Sequence, residues 1–164
     1  TTLFRSIYID RITQLTNKTN QFNLTGSRFT TAEILTISAS NDYLKIYGKL
    51  SDKYGDNGLV SVVILKFAEK KANIDLWVMS CRVLGRRVEE AVIVECGKLA
   101  RYLKCSNIVG NYILTDRNSI VKELYRKLGF SNRVEEKTGD SIWSVSAQDM
   151  SIDHLPFKTN SIFS

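Results

Sequence analysis

The chain has 164 residues, of which 43% are apolar and 24% are charged, and its formal net charge is +6. This length and composition predict one globular domain with a substantial core. No apolar run approaches the roughly 20 residues that a membrane-spanning helix needs, so we expect no membrane segment. The positive charge favours anionic partners. The Lys and Arg residues are nevertheless spread along the chain, which argues against a nucleic-acid-binding surface.

The chain contains three cysteines, Cys81, Cys96 and Cys105, an odd number without the CxxC spacing. Neither a disulfide framework nor a structural zinc site is supported by this pattern. We therefore expect a reducing, cytoplasmic location and no metal in this domain. Cys96 and Cys105 have no cationic motif beside them, and we expect both to be structural.

Two helices are predicted before the first strand. Residues 5–18 place Ile7, Ile12 and Leu15 roughly on one face of a helix. Thr30 or Thr31 can cap a second helix, which has Glu33 in its first turn.

Three strands are predicted next. Tyr43–Leu50 alternates as a strand does, and Asp52–Gly58 is a strong turn signal. Leu59–Phe67 is a β-branched run and is predicted as the second strand. Ile74–Val83 is apolar on both faces, which is typical of a strand in the middle of a sheet.

The rest of the chain alternates between helices and strands. A helix is predicted over Arg87–Leu103, a strand over Asn107–Leu114 and a helix over Asn118–Leu128. A hairpin is predicted from Ser131–Glu136 and Ser141–Ser146. The order α-α-β-β-β-α-β-α-β-β predicts an α/β fold with a mixed sheet and helices on its faces.

The turn between the third strand and the third helix is the most informative segment. A strand that feeds a Gly-containing, Arg-rich turn aims backbone N–H groups and a helix N-terminus at one spot, which suits a phosphate. Arg82, Arg86 and Arg87 carry guanidinium groups that fit phosphate oxygens. The alternative is a solvated turn whose arginines pair with Glu89 and Glu90.

Cys81 lies at the mouth of this turn. A thiol beside cations and a helix N-terminus is where a thiolate is stabilised, so Cys81 is a candidate nucleophile. The alternative is a small buried strand residue, which is a common place for a free cysteine.

Asn20, Gln21 and Asn23 belong to an unusual cluster of amides. Such side chains both donate and accept hydrogen bonds, and they can orient a polyhydroxylated acyl group. The alternative is that they cap the end of the first helix and the loop after it.

The element order and two motifs resemble the GNAT acyltransferase family. The cofactor motif of that family, Arg/Gln-x-x-Gly-x-Gly/Ala, reads here Arg82-Val83-Leu84-Gly85-Arg86-Arg87, with Arg87 in place of a small residue. The resemblance implies that Arg82, Val83, Gly85, Arg86 and Arg87 hold the phosphates of coenzyme A or of a carrier-bound phosphopantetheine.

The second GNAT signature is similar to Asn118–Phe130. It implies that Asn118 contacts the cofactor and that Tyr125 protonates the departing thiolate. The alternative for Tyr125 is an amphipathic tyrosine of the core. In the GNAT fold the pantetheine arm runs between the third and fourth of the predicted strands, where the sheet splays.

A narrower resemblance, to the C-terminal domain of FkbH-like proteins, covers most of the chain. It rests on Thr19–Thr25, Gly55–Gly58 and Ser80–Arg86. It implies that residues 1–164 are one GNAT-like domain, the C-terminal part of a longer protein with an N-terminal HAD-type phosphatase domain. It also implies that Cys81 carries a glyceryl group from bisphosphoglycerate as a thioester and passes it to the phosphopantetheine of an acyl carrier protein, as in polyketide biosynthesis.

Two other functions remain open. An acyl-CoA-dependent N-acyltransferase works by direct transfer and tolerates the loss of Cys81. A non-catalytic docking module binds a carrier protein without ever forming an acyl-enzyme.

Overall fold

The computed structural model describes residues 6–156 and 158–159. Arg5, where the first predicted helix begins, lies outside them. The helices are α1 Ser6–Lys18, α2 Thr31–Ala39, α3 Val88–Tyr102 and α4 Leu124–Lys127. The strands are β1 Tyr43–Asp52, β2 Gly55–Ala68, β3 Lys71–Met79, β4 Asn107–Tyr112, β5 Asn132–Glu135 and β6 Ser141–Ser146. The order of elements predicted from the sequence is confirmed.

The six strands form one mixed sheet in the order β1-β2-β3-β4-β6-β5. β3 lies inside the sheet, as predicted, and pairs antiparallel with β2 and parallel with β4. The pairing of β3 with β4 covers only Lys71–Ile74 and Asn107–Gly110. Beyond those residues the two strands separate, and we call the space between them the fork.

The core has a layer on each face of the sheet. Successive strand residues point to opposite faces, and the end of β3, Leu76–Met79, is fully buried on both. Val78 packs in the cluster formed with α1 and α2, and Trp77 packs in the larger cluster formed with α3 and α4. The continuous apolar run of β3 is therefore explained by cover on both sides.

The second helix begins with a capping box at Thr30. The Glu33 N–H donates to Thr30 Oγ1 over 3.2 Å, and the Thr30 N–H donates to Glu33 Oε2 over 2.8 Å. The Glu33 carboxylate accepts from the Thr30 N–H and from the Thr30 hydroxyl, and these two bonds lower the pKa of Glu33. Of the two predicted caps, the structure selects Thr30.

Several predicted boundaries are wrong. β3 ends at Met79 and not at Val83, because Cys81–Val83 winds into a 3₁₀ turn. The turn between β1 and β2 is shorter than predicted, since β2 begins at Gly55.

The predicted helix over Asn118–Leu128 is not one continuous helix. It divides into a 3₁₀ turn, Ser119–Val121, and the single turn of α4. The Asn118 side chain bonds surrounding backbone at this point, which competes with a regular helix start.

Candidate functional site

The turn between β3 and α3 is held by its own backbone. The Val83 N–H donates to the Ser80 carbonyl over 3.1 Å, and the Arg86 N–H donates to the Val83 carbonyl over 3.2 Å. Val83 is fully buried and anchors the turn, whereas Gly85 is exposed with a positive φ of 75°. Arg82 is exposed, and its Nε donates to Ser80 Oγ over 3.3 Å.

Arg86 and Arg87 each pair with a carboxylate. Arg86 Nη2 lies 2.7 Å from Asp52 Oδ2, and this bond lowers the pKa of Asp52. Arg87 Nη2 lies 2.5 Å from Glu90 Oε2, and Arg87 Nη1 donates to the His154 carbonyl over 3.1 Å. Pairing with a following glutamate, the predicted alternative, is thus observed for Arg87.

The backbone at Arg87 is left-handed, with φ 61°. A residue without a bulky side chain adopts that conformation most easily, which agrees with the small residue that the resembling motif carries there. Of the three arginines in the turn, Arg82 is the one whose side chain is exposed and bonds no carboxylate among the described residues.

Cys81 is exposed and opens the 3₁₀ turn. The alternative that it is a buried strand residue is therefore wrong. It lies in a groove of about 470 Å³. The groove is lined by Lys18, Asn20, Gln21, Cys81, Asp116 and Arg117. The structure thus brings the predicted nucleophile together with two of the three predicted substrate-binding amides.

The three amides have different surroundings. Asn20 Oδ1 accepts from Arg28 Nη2 over 2.5 Å, and Gln21 is exposed at the groove. Asn23 is buried, and its Nδ2 donates to the Ser27 carbonyl over 2.9 Å. Asn23 does not line the groove, so it is separated from the other two.

Arg28 caps the end of α1. Its Nη1 donates to the carbonyls of Thr16 and Thr19 over 2.5 and 2.7 Å. A cation at a helix C-terminus satisfies carbonyls that lack an intrahelical partner. The capping that the sequence offered as an alternative for the amides is done by this arginine, with Asn20 as its support.

The fork between β3 and β4 is occupied by Phe22–Leu24, which we call the inserted strand. The Met79 N–H donates to the Phe22 carbonyl over 3.2 Å, and the Leu24 N–H donates to the Trp77 carbonyl over 3.4 Å. On the other side, the Ile113 N–H donates to the Leu24 carbonyl over 2.9 Å. The path that the resemblance implied for a pantetheine arm is therefore filled by the chain itself.

Tyr125 lies in the core. It is fully buried, its ring centroid is 6.4 Å from that of Trp77 and 4.9 Å from that of Phe130, and burial raises its pKa. Its hydroxyl has no hydrogen-bond partner among the described residues. In this conformation the structure favours the packing alternative over the predicted acid, which has to reach a thiolate.

Asn118 is fully buried and uses its side chain on the framework. Its Nδ2 donates to the carbonyls of Asn23 and Ile113, over 2.9 Å in each case. Its Oδ1 accepts from the Thr115 N–H over 2.9 Å and from the Tyr112 hydroxyl over 3.2 Å. The structure thus favours a framework role over the predicted cofactor contact, because these four bonds use both N–H groups of the side-chain amide and both acceptor positions of its oxygen.

The groove also contains cations that the sequence did not single out. Lys18 ends α1, where basic residues are common for helix stability alone. Arg117 lies in the loop after β4, and its Nε is 3.8 Å from Asp116 Oδ2. Lys18 and Arg117 come near Cys81 only through the fold of the chain. No local signal in the sequence could therefore have identified them as groove residues.

Other titratable groups lie away from the groove. Burial raises the pKa of the half-buried Asp75 carboxyl, and the charge of Lys66 opposes that shift. Burial also raises the pKa values of the Cys96 and Cys105 thiols. Both residues are buried, which agrees with the structural role predicted for them.

Residues 6–156 and 158–159 contain no group of three or more His, Cys, Asp or Glu side chains placed to hold a metal ion. None of their helices combines the length and the apolar character that crossing a membrane requires.

No protein-family model matches the chain, and no curated protein matches it. Solved structures do. The ribosomal-protein-S18-alanine N-acetyltransferase from Escherichia coli matches with a TM-score of 0.64 at 11% identity, over 97% of each chain. A spermidine N-acetyltransferase mutant from Vibrio cholerae matches with a TM-score of 0.61 at 14% identity, over 87% of this chain and 90% of that one.

The PaiA N-acetyltransferase from Thermoplasma acidophilum, in complex with coenzyme A, matches with a TM-score of 0.59 at 16% identity, over 71% of each chain. At these identities the similarity concerns the fold. The chain has the fold of the GNAT N-acetyltransferases, as its element order and turn motif predicted.

Proposed function

We propose that this domain is an acyltransferase whose acyl group is carried as a thioester of coenzyme A or of a related phosphopantetheine. The observation that carries the proposal is the turn at Ser80–Val88, where β3 ends, Arg82 is exposed and the 15-residue α3 begins. The N-terminus of a helix of this length favours an anion, because its first N–H groups lack intrahelical acceptors. Three structural neighbours are N-acetyltransferases, and one of them is a complex with coenzyme A.

In this proposal the turn binds the phosphates of the carrier. Arg82 supplies an exposed guanidinium that pairs with no carboxylate among the described residues and bonds only Ser80 Oγ and the Asn57 carbonyl, over 3.3 and 3.5 Å. The exposed Gly85 leaves the backbone open to an approaching phosphate. Gly85 has nothing within 4 Å of the position where a Cβ would lie. Arg86 and Arg87 shape the turn through their carboxylate partners.

The experiment is calorimetric titration with coenzyme A. We expect Arg82→Ala to weaken binding by roughly tenfold or more, since a charge-assisted hydrogen bond contributes about 1.5–3 kcal/mol. Arg126→Ala is the matched control, because Arg126 is an exposed arginine on α4 that pairs with Glu123. Equal binding by both variants and the unchanged protein would contradict the role of the turn, and no binding at all would contradict the proposal.

A second candidate is the glyceryl-transfer route of FkbH-like proteins. The observation that favours it is the groove, which brings exposed Cys81 together with Asn20 and Gln21. Lys18 and Arg117 also line it. The Cys81 thiolate would attack the acyl carbon of an acyl phosphate, and the bond from that carbon to the phosphate oxygen would break. The carrier thiol would then attack the thioester and release Cys81.

This route takes an acyl carrier protein as acceptor and a HAD phosphatase domain as neighbour. Intact-protein mass spectrometry tests it, after incubation with bisphosphoglycerate in the presence and absence of such a phosphatase. We expect an adduct that survives in Cys105→Ser and disappears in Cys81→Ser. If no adduct forms under either condition, the covalent route is excluded.

A docking module would give a third result. Carrier binding would then survive Cys81→Ala, and neither an acyl-enzyme nor turnover with acyl-CoA would appear.

A further inference from the structure

We propose that the inserted strand, Phe22–Leu24, is a displaceable gate. It holds the place of an extended, amide-bearing thioester arm in the fork, and it leaves the fork when such an arm binds. The inference rests on the proposed function, since it requires a ligand of that class. It adds a closed state in which the chain blocks its own site.

The bonds between the inserted strand and β3 are long. They measure 3.2 and 3.4 Å, whereas backbone hydrogen bonds cluster at about 2.9–3.0 Å. At the same end of the sheet, the Ser80 N–H donates to the Val60 carbonyl over 2.8 Å. The inserted strand makes a single bridge, Asn23 with Val78, in place of a ladder. The inserted strand is therefore held to β3 by two long backbone bonds and not by a ladder.

Unpartnered polar atoms lie along the same contact. Asn23 Oδ1, Trp77 Nε1 and Tyr125 Oη are buried and have no hydrogen-bond partner in the described part of the chain. The rings follow one another, with centroids 5.7 Å apart for Phe22 and Trp77 and 6.4 Å apart for Trp77 and Tyr125. Buried polar atoms without partners destabilise the state that holds them. In the open state, water or the amides of a ligand can reach these groups.

The loop around the inserted strand is built so that a short segment can move. Gly26 has a positive φ of 68° and lies where the chain turns away from the fork. Arg28 fastens Thr16 and Thr19 from the far side of the loop. Arg28 also bonds Asn20 Oδ1, so this anchor keeps both ends of the loop in place while residues 21–26 move.

Burial of apolar side chains keeps the gate closed. Phe22 and Leu24 are fully buried in the larger core cluster. The open state is therefore the minor one without ligand, and the apparent affinity for the arm is reduced by the fraction of open molecules. A variant that destabilises only the closed state must then bind the arm more tightly.

Coenzyme A titration of two truncation variants tests this. Leu24→Ala removes the side chain that holds the gate, and we expect it to bind coenzyme A about tenfold more tightly than the unchanged protein. Leu50→Ala is the matched control, because Leu50 is buried in the same cluster but belongs to β1. Its affinity should not change. If Leu24→Ala does not fold, Gly26→Ala serves instead, since its Cβ would lie 2.9 Å from Thr115 at a positive φ.

Hydrogen exchange on the unchanged protein gives the second readout. We expect the Leu24 amide to exchange faster with saturating coenzyme A, because it loses the Trp77 carbonyl as acceptor. Binding of coenzyme A without faster exchange at Leu24, and without a gain in the variants, would overturn the gate and leave the proposed function standing. Absence of binding in the unchanged protein and in Leu24→Ala would overturn both.

Discussion

A Cβ atom added at Gly110 would lie 2.3 Å from two ring carbons of Tyr125. Real Cβ atoms do not approach other atoms so closely, and both partners are held inside the sheet and the core. The fit of Tyr125 over β4 therefore depends on the absence of a side chain at Gly110. Nothing local in the sequence shows this, because the two residues meet only through the fold.

We expect Gly110→Ala to destabilise the protein by about 3 kcal/mol, since overpacking displaces the tyrosine ring. Urea denaturation measures the loss. Gly48→Ala is the control, because its nearest contact, the Ser61 Cβ, would be 3.4 Å away. The cost at Gly110 should shrink in a Tyr125→Leu background. Equal costs at both glycines would refute the close fit.

Removal of the Tyr125 hydroxyl is expected to increase the stability of the protein, whereas Gly110→Ala is expected to reduce it. It is buried without a partner among the described residues, so Tyr125→Phe should raise the stability of the free protein by about 1 kcal/mol. Thermal denaturation should show a midpoint higher by about 2–4 °C. A fall in stability would mean that the hydroxyl is bonded in solution. A loss of transfer rate in the more stable variant would support the acid role that the resemblance implies.

At the scale of elements, Asp52 and Arg86 join the β1–β2 hairpin to the turn before α3. The hydrogen bond from Arg86 is the largest cause of the lowered pKa of Asp52, followed by that from the Tyr54 N–H. A carboxyl with a lowered pKa stabilises the folded state above its ordinary value of 3.8, and this stability is lost as the pH falls through the folded pKa. The two elements are therefore expected to loosen at acid pH.

Arg86→Gln should reduce the loss of stability that occurs as the pH falls. Between about pH 5 and about pH 2, the melting temperature should fall less in the variant than in the unchanged protein. The difference should be small and should shrink in 1 M salt, because both side chains are partly exposed. Parallel curves would show that the pair contributes nothing.

The elements differ in how far the sequence could predict them. The long helices and β2–β3 carry strong periodic or apolar patterns, and they lie close to where those patterns place them. The inserted strand has only three residues and pairs with segments far along the chain, so no local period marks it. For the same reason, the sequence could predict Cys81, Asn20 and Gln21 as candidate site residues but could not predict Arg117.

At the scale of the whole molecule, the thiols report how the chain is folded. Cys81 is exposed, and Cys96 and Cys105 are buried with raised pKa values. The thiolate is the form that reacts with alkylating reagents. Burial therefore slows the reaction both by shielding the sulfur from the reagent and by raising the pKa of the thiol.

Iodoacetamide at about pH 8 should therefore label one thiol quickly. Mass spectrometry should place that label on Cys81, and Cys81→Ser should show almost none at the same time point. In urea all three thiols of the unchanged protein should react. Fast labelling of Cys96 in the native protein would contradict the packing of α3.

The inserted strand in the fork between β3 and β4 is expected to dock late when the chain folds. β1, β2 and β3 follow one another as neighbours and can associate as soon as they are synthesised. The inserted strand is made before them, but its second partner, Ile113, emerges only after α3 and β4. During synthesis on the ribosome, the segment that later closes the fork must wait beside an incomplete sheet. Its docking is therefore expected to be among the last steps by which the nascent chain becomes native.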